Sequence, residues 1–331
     1  MNVDDLLHRY ETGALDFSNT NLSRKNLYGL DLIGVDLQGA DLHGATLALT
    51  YLNRANFRRA NLAQIRLMGA NLNQAILMET NLRDADLHGA SLQEAMLCAA
   101  NLAFASLIDA NLTNADLRGA DLSAANLSGA CLRGANLREE SRLYPPVSLR
   151  GANLEGTDLR GANLTSADLS KANLRGADLR EATLRYAVLT DANLEGATLD
   201  NATLMDANLT HARLNQARLR MTNLARATLA EASLVEANLA YSTLADVKAS
   251  KANFQRASLE QARLNRADLS RANLSYANLA EAVLTEAYLA RANLSNADLQ
   301  EANLAKAEIS GANLLQAKLK GATMPDGRAG R

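Results

Sequence analysis

The chain has 331 residues with 34 basic and 36 acidic side chains, a formal net charge of −2, no Trp and 4% aromatic residues. That balance fits neither a polycation made for nucleic acid nor a polyacid, and an apolar share of 48% drawn mostly from Leu and Ala points to one small motif used many times. Cys98 and Cys131 are the only cysteines and lie too far apart for a CxxC pair or a disulfide framework, which fits a reducing compartment.

The opening MNVDDLLHRYETG carries two acids where a secretory leader would carry lysines, and no apolar stretch leads to a cleavage site, so the expected location is the cytoplasm. No run approaches the roughly 18 apolar residues of a membrane helix, and no membrane contact is expected. Residues 1–16 read as a short N-terminal capping helix. Asn2 is placed to cap it, Asp4 and Asp5 favour its first turn, Val3, Leu6, Leu7 and Tyr10 share one face, and Gly13 can end it.

From Phe17 a large apolar residue recurs every five positions through Leu137, giving 25 repeats over 17–137. After a break the series resumes at Leu149 and runs to Met324, a further 36 repeats over 149–324 in which only Ala249 lacks a large side chain. Two residues before each centre stands a small residue, usually Ala; one before it stands Asn or Asp; two polar or small residues follow. A helix turns about 100° per residue, so a period of five would spiral the centres around every face. In a continuous strand the same odd period would flip each centre to the opposite side. Both conflicts vanish if each repeat is one short extended side of a coil, with the small residue and the centre pointing inward and the chain turning a corner after them. Coils then stack at about 4.8 Å. No repeat can bury its own Leu, so stability must come from neighbours in the stack.

This Ala-Asn/Asp-Leu-x-x unit resembles the pentapeptide-repeat family and covers about nine tenths of the chain. The resemblance implies an all-β fold, a right-handed quadrilateral β-helix with four repeats, or 20 residues, per coil. Two columns agree with that step. Asp206, Arg226, Asp246, Arg266, Glu286 and Lys306, spaced by 20, alternate in sign as a salt-bridge ladder would. Asn253, Asn273, Asn293 and Asn313 read as an amide ladder. The centres and inward residues are expected to be sealed from solvent from about Leu42 onward and the two corner residues exposed. Thr20, Lys25, Leu30 and Val35 stand where the inward Ala should be, so the first coils are expected to be wide or partly open. At the weak repeat, Val247 in the inward position offsets part of the volume lost at Ala249.

Between Leu137 and Leu149 the step is 12 residues, read as two repeats plus two extra, and 138–148 reads as a surface loop because Pro145 and Pro146 cannot donate to a ladder. The loop is either an insertion that a solenoid corner tolerates or a binding element; in the second case Arg142, Leu143, Tyr144, Pro145 and Pro146 are the candidate partner-binding residues, since here alone Arg, Tyr, Leu and Pro occur together outside the repeat, and Arg and Tyr are enriched at binding hot spots. Residues 325–331 read as a Pro-Asp-Gly turn and a frayed tail.

His8, His43, His88 and His211 are scattered without ligand spacing, and no phosphate-binding Gly loop exists, so neither a metal nor a cofactor is expected, and no catalysis. The expected function is a non-enzymatic protein–protein scaffold or regulator that binds through its solenoid faces and the 138–148 loop. The opening MNVDDLLHRYETGALDF and closing GATMPDG resemble cyanobacterial members of the family, including a heterocyst-regulation type that contacts a transcription regulator; the resemblance makes a protein of that kind the partner, with no direct nucleic-acid binding. The alternative it offers is a DNA mimic that binds an enzyme such as a type II topoisomerase, which would need a dense negative face.

Overall fold

The structure, a computed structural model, describes residues 1–140 and 143–330 and divides into two compact units, Met1–Asp168 and Leu169–Arg331. Each unit is a right-handed quadrilateral β-helix. Every side is reduced to one parallel bridge per repeat, because an inward pair followed by a corner leaves room for no more. Asp36 pairs with Asp16 on one neighbour and with Asn56 on the other, each 20 residues away. The bonds that make this register run along the stack: the Phe17 amide donates to the Asp36 carbonyl, and the Asp36 amide donates to the Leu15 carbonyl, both at 2.8 Å.

Corners follow from the same backbone economy. The Ala60 amide donates to the Phe57 carbonyl at 2.9 Å, and Arg59 between them has φ +57°, the left-handed value that the third residue of a type II turn requires. The preference for Asn and Asp before the centre has a direct cause. Asn56 Oδ1 accepts the Arg58 amide at 3.1 Å, a donor the ladder leaves idle, while Asn56 Nδ2 donates to Asp36 Oδ1 in the coil before at 3.1 Å. One side chain serves both the corner and the stack. The expected Asn column is present in the second unit, where Asn273 donates to Asn253 at 3.1 Å, Asn293 to Asn273 at 3.3 Å and Asn313 to Asn293 at 3.2 Å.

Centres from Phe17 to Leu304 are buried, which is the dominant stabilising term at roughly 1.5–3 kcal/mol per Leu. The centres are sealed from the first coil, but the inward positions are not: Leu15 and Lys25 are exposed, Thr20 and Leu30 are half-buried, and both kinds of position are sealed together only from Val35 onward, close to the expected Leu42. Helix α1, Val3–Glu11, is what seals the first centres: Asn2 Oδ1 accepts the Asp5 amide at 2.7 Å, Leu6 is buried, and the Tyr10 hydroxyl donates to the Ile33 carbonyl at 3.0 Å. The first coil is thus partly open at its inward positions, as expected, yet its backbone ladder is kept. The ladder is regular from Asp16, Thr20 Oγ1 donates to the Phe17 carbonyl at 2.7 Å, and Lys25 stays exposed. Ala249 is likewise held in register, its amide donating to the Asp268 carbonyl at 2.8 Å.

The last coil departs from expectation in the other direction. Ile309, Leu314, Leu319 and Met324 are only half-buried, because no coil among the described residues stacks on them. The tail is not frayed as far as Gly330: the turn at 325–327 sends it back so that Ala329 pairs antiparallel with Thr323 and the Gly330 amide donates to the Ala322 carbonyl at 2.6 Å. It covers one side and leaves a cleft of about 460 Å³ lined by Ile309, Leu319, Met324 and Pro325.

Candidate partner-binding surface

The interruption is one repeat plus seven residues, not two repeats plus two. The Glu139 amide still donates to the Thr165 carbonyl at 3.0 Å, and Val147 is already inward and buried with its carbonyl accepting from Asp168, so the excursion is confined to 140–146. Around it the stacking partner lies 27 residues on, as in Asn126 with Asn153, where elsewhere it lies 20 on. The reason is geometric. A corner can be extended outward without disturbing the sides it joins, provided that the chain returns in register.

Of the five candidate residues, Arg142 lies outside the described residues. Leu143 is 69% exposed, and Pro145 and Pro146 are exposed. Tyr144 is not free. Its amide and that of Leu143 both donate to the Glu140 carbonyl, at 2.9 and 2.8 Å, closing a tight turn that lays the ring back on the first unit. There Gly119 leaves the room that the Tyr144 side chain occupies, and the Arg118 guanidinium stands 5.8 Å from the ring centroid. Arg118 also bonds Asp116, at 2.6 Å from Nη2, and Glu140. Beneath lies the buried Cys98, whose thiol is pushed up to about 11 by burial and then by the charge of Asp116. Burial opposes ionisation of Asp116 as well, but hydrogen bonds from Arg118 hold its carboxyl below the usual range. The loop is thus pinned by Tyr144 and presents Leu143, Pro145 and Pro146 outward.

Elsewhere the outer faces carry paired charge. Arg226 meets Asp206 and Arg266 meets Asp246, each through two hydrogen bonds of 2.7 Å, while Lys251 reaches Glu231 at 2.8 Å. The expected ladder is therefore a series of separate pairs, because an arginine fork that grips one carboxylate bidentately has turned away from the next. Glu286 and Lys306 form no ion pair with each other among the described contacts. No group of three His, Cys, Asp or Glu side chains among the described residues is placed to hold a metal ion, and no helix among them is long and apolar enough to cross a membrane.

The period of five, the 20-residue ladder and the corner chemistry recur in a family model described as pentapeptide repeats, which matches residues 15–138, 148–220 and 222–324. The chain belongs to the pentapeptide-repeat family. No curated protein matches it. Among solved structures it is similar to HetL, a pentapeptide-repeat protein involved in heterocyst differentiation regulation from the cyanobacterium Nostoc sp. strain PCC 7120, with 30% identity over 100% of both chains and a TM-score of 0.27. A second Nostoc pentapeptide-repeat protein, alr5209, is 37% identical over 30% of this chain and 80% of its own, with a TM-score of 0.29. The plasmid-mediated fluoroquinolone resistance protein QnrB1 is 18% identical over 62% of this chain and 82% of its own, with a TM-score of 0.25.

The sequence points to the solenoid faces and the 138–148 loop together, but it singles out residues only in the loop. The signal that sequence reasoning missed lies at the outward positions of the first coils, where Tyr28, Leu49, Tyr51 and Met68 stand exposed in places that polar residues fill elsewhere.

Proposed function

We propose that this pentapeptide-repeat protein is a non-enzymatic scaffold or regulator that acts by contact, through its solenoid faces and the 138–148 loop. The observation that carries the reading is how the chain spends its titratable groups. Inward positions are almost wholly apolar, and many of the acids outside are paired with bases, either one coil away, as in Asp206 with Arg226 and Glu231 with Lys251, or on the same side, as in Asp116 with Arg118. Groups so exposed and paired are unsuited to general acid or base work, which needs desolvation and a pocket. The same mosaic weighs against DNA mimicry, since a mimic must present closely spaced uncompensated negative charge.

The partner in this reading is a protein, met in the cytoplasm, and the resemblance of the opening and closing segments to a heterocyst-regulation type favours a transcription regulator. Leu143, Pro145 and Pro146 are the loop residues that can reach it. The test is capture from native cytoplasm by the full chain and by a Leu143→Ser, Pro145→Ser variant of unchanged melting temperature. Loss of one specific protein from the variant supports the loop; identical capture by both removes the loop from the proposal.

A further inference from the structure

Six of the large apolar side chains exposed on the first unit lie in its first three coils, and apart from Leu15, at an inward position of the first coil, they fall on two adjoining sides. Tyr28 is 57% exposed, Leu49 52%, Tyr51 54%, Ile33 45% and Met68 42%. Their places in the repeat bring them together. Tyr28 and Met68 follow the centres Leu27 and Leu67 on one side of the coil, two coils apart, and Leu49 occupies the corner that leads from that side to the next. Tyr51 and Ile33 lie on the next side, around the centres Leu52 and Leu32. Between Tyr28 and Met68 the outward Ala48 is only 5% exposed, so its neighbours close over it and the surface is continuous. Leu49 leans over the bare backbone of Gly69, where an added Cβ would come within 2.7 Å of Leu49 Cδ2. It does so from φ +56°, a left-handed conformation costing a β-carbon-bearing residue about 1–2 kcal/mol. Half-exposed as it is, Leu49 recovers little of that through burial.

Two cations border this patch. Arg66 shares the outward side of its strand with Met68, and Arg54 follows Tyr51 at the next corner, its guanidinium donating to Gln74 Oε1 at 2.9 Å. Neither forms an ion pair with a carboxylate among the described contacts, whereas Arg58, Arg59 and Arg118 on another side of the same unit all do. Tyr anchors at the centre of an apolar patch with unpaired arginines on its rim are the composition of a protein-binding hot spot.

We infer that this corner of the first unit docks a protein segment that presents apolar side chains together with at least one Asp or Glu, the apolar residues covering Tyr28, Leu49 and Tyr51 and the carboxylate meeting Arg54 or Arg66. The inference rests on the contact function proposed above and assigns it a place separate from the 138–148 loop. A second copy of the chain or an anionic bilayer could also cover an apolar, cation-rimmed surface, and the test separates them.

The probe is a phage-displayed random dodecapeptide library selected on the full chain, with retained peptides then synthesised. Expected are peptides combining apolar residues with Asp or Glu, whose affinity falls about tenfold or more for a Tyr28→Ser, Tyr51→Ser variant of unchanged melting temperature. The same peptides should weaken against an Arg54→Glu, Arg66→Glu variant and recover when their acids are replaced by Lys. A Tyr276→Ser, Tyr288→Ser control on the second unit should bind as the wild type does. Peptides that depend on Leu143 and Pro145 but not on Tyr28 and Tyr51 overturn the patch and leave the contact reading standing. No peptide displaceable by soluble wild-type chain overturns both. Self-association that the Tyr28→Ser, Tyr51→Ser variant abolishes, or its loss of sedimentation with vesicles of phosphatidylcholine and phosphatidylglycerol, overturns the assignment in favour of a second copy or a bilayer.

Discussion

Tyr144 lies on the backbone of Gly119: a Cβ built on Gly119 would stand 2.7 Å from the Tyr144 Cβ and 3.1 Å from its Cγ. The pair explains how a seven-residue excursion remains attached to a regular surface. One repeat gives up its corner side chain, and the loop supplies an aromatic ring that fills the space and lies close to Cys98.

That proximity can be tested through the thiol. Cys98 is 1% exposed and its pKa is raised to about 11, so it should react slowly with a disulfide reagent at pH 8. In a Cys131→Ser background, Tyr144→Ala should open the site and speed labelling, by up to about a hundredfold if the thiol returns to its ordinary pKa. Gly119→Ala should act in the same direction by displacing the ring, at an added cost of about 1 kcal/mol for a Cβ at φ +70°. Labelling unchanged in both variants would mean that Tyr144 does not cover Cys98.

Acid should weaken the first unit through Asp158. Hydrogen bonds from Arg160, and after burial's opposing effect those from Arg133, hold its carboxyl well below the usual carboxylate range. A carboxylate whose pKa is depressed by folding contributes stability that is complete above its unfolded pKa near 3.9 and is lost as pH falls toward the folded value. Asp158→Asn should therefore lower the melting temperature at pH 7 and differ progressively less from wild type below about pH 4. A gap that stays constant between pH 7 and pH 3 would show that the ionised form is not what stabilises.

Much of this fold could be read before the structure because its rule is written at every repeat. A period of five excludes helix and strand by arithmetic, and the Asn253–Asn313 column stands where the 20-residue step places it. What escaped the sequence concerns places where one residue does two jobs or the rule meets a boundary. Tyr144 reads as a hot spot by type, but only the absence of a side chain at Gly119, 25 positions earlier, shows that its ring is used internally. The 12-residue step was divided wrongly because Val147 cannot be told from a loop residue until its ladder bonds are seen. The apolar patch was missed because Tyr28, Leu49, Tyr51 and Met68 are scattered along the chain and meet only when the coil is wound.

The amide ladder should be worth more than its exposed neighbours suggest. Asn273 Nδ2 donates to Asn253, while its Oδ1 accepts from Asn293, from the Ser275 amide at 3.2 Å and from the Ser275 hydroxyl at 2.8 Å. Asn273→Ala removes all four partners from a half-buried site and should cost about 1–3 kcal/mol by denaturant unfolding. Asn273→Asp keeps the acceptor to Ser275 and loses only the donor to Asn253, so it should cost less. If the two variants are equally destabilised, the corner bond to Ser275 is not what the position supplies.

The sharpest test of the stacking logic compares two leucines with the same place in the repeat. Leu204 is sealed between coils, its amide donating to the Asn223 carbonyl at 2.7 Å, whereas Leu314 is a half-buried centre on which no further coil among the described residues stacks. Deleting a fully buried Leu side chain leaves a cavity that close-packed neighbours cannot fill, and Leu204→Ala should cost about 3–5 kcal/mol. At Leu314 the side chain already meets solvent, so truncation loses part of the transfer term and leaves no enclosed void; about half that cost or less is expected. Because each coil is stabilised by its neighbours on both sides, Leu204→Ala should also speed amide exchange in the adjoining coils around Leu184 and Leu224, while Leu314→Ala should disturb only the end. Equal destabilisation at the two positions would show that burial between successive coils is not what holds these centres in place.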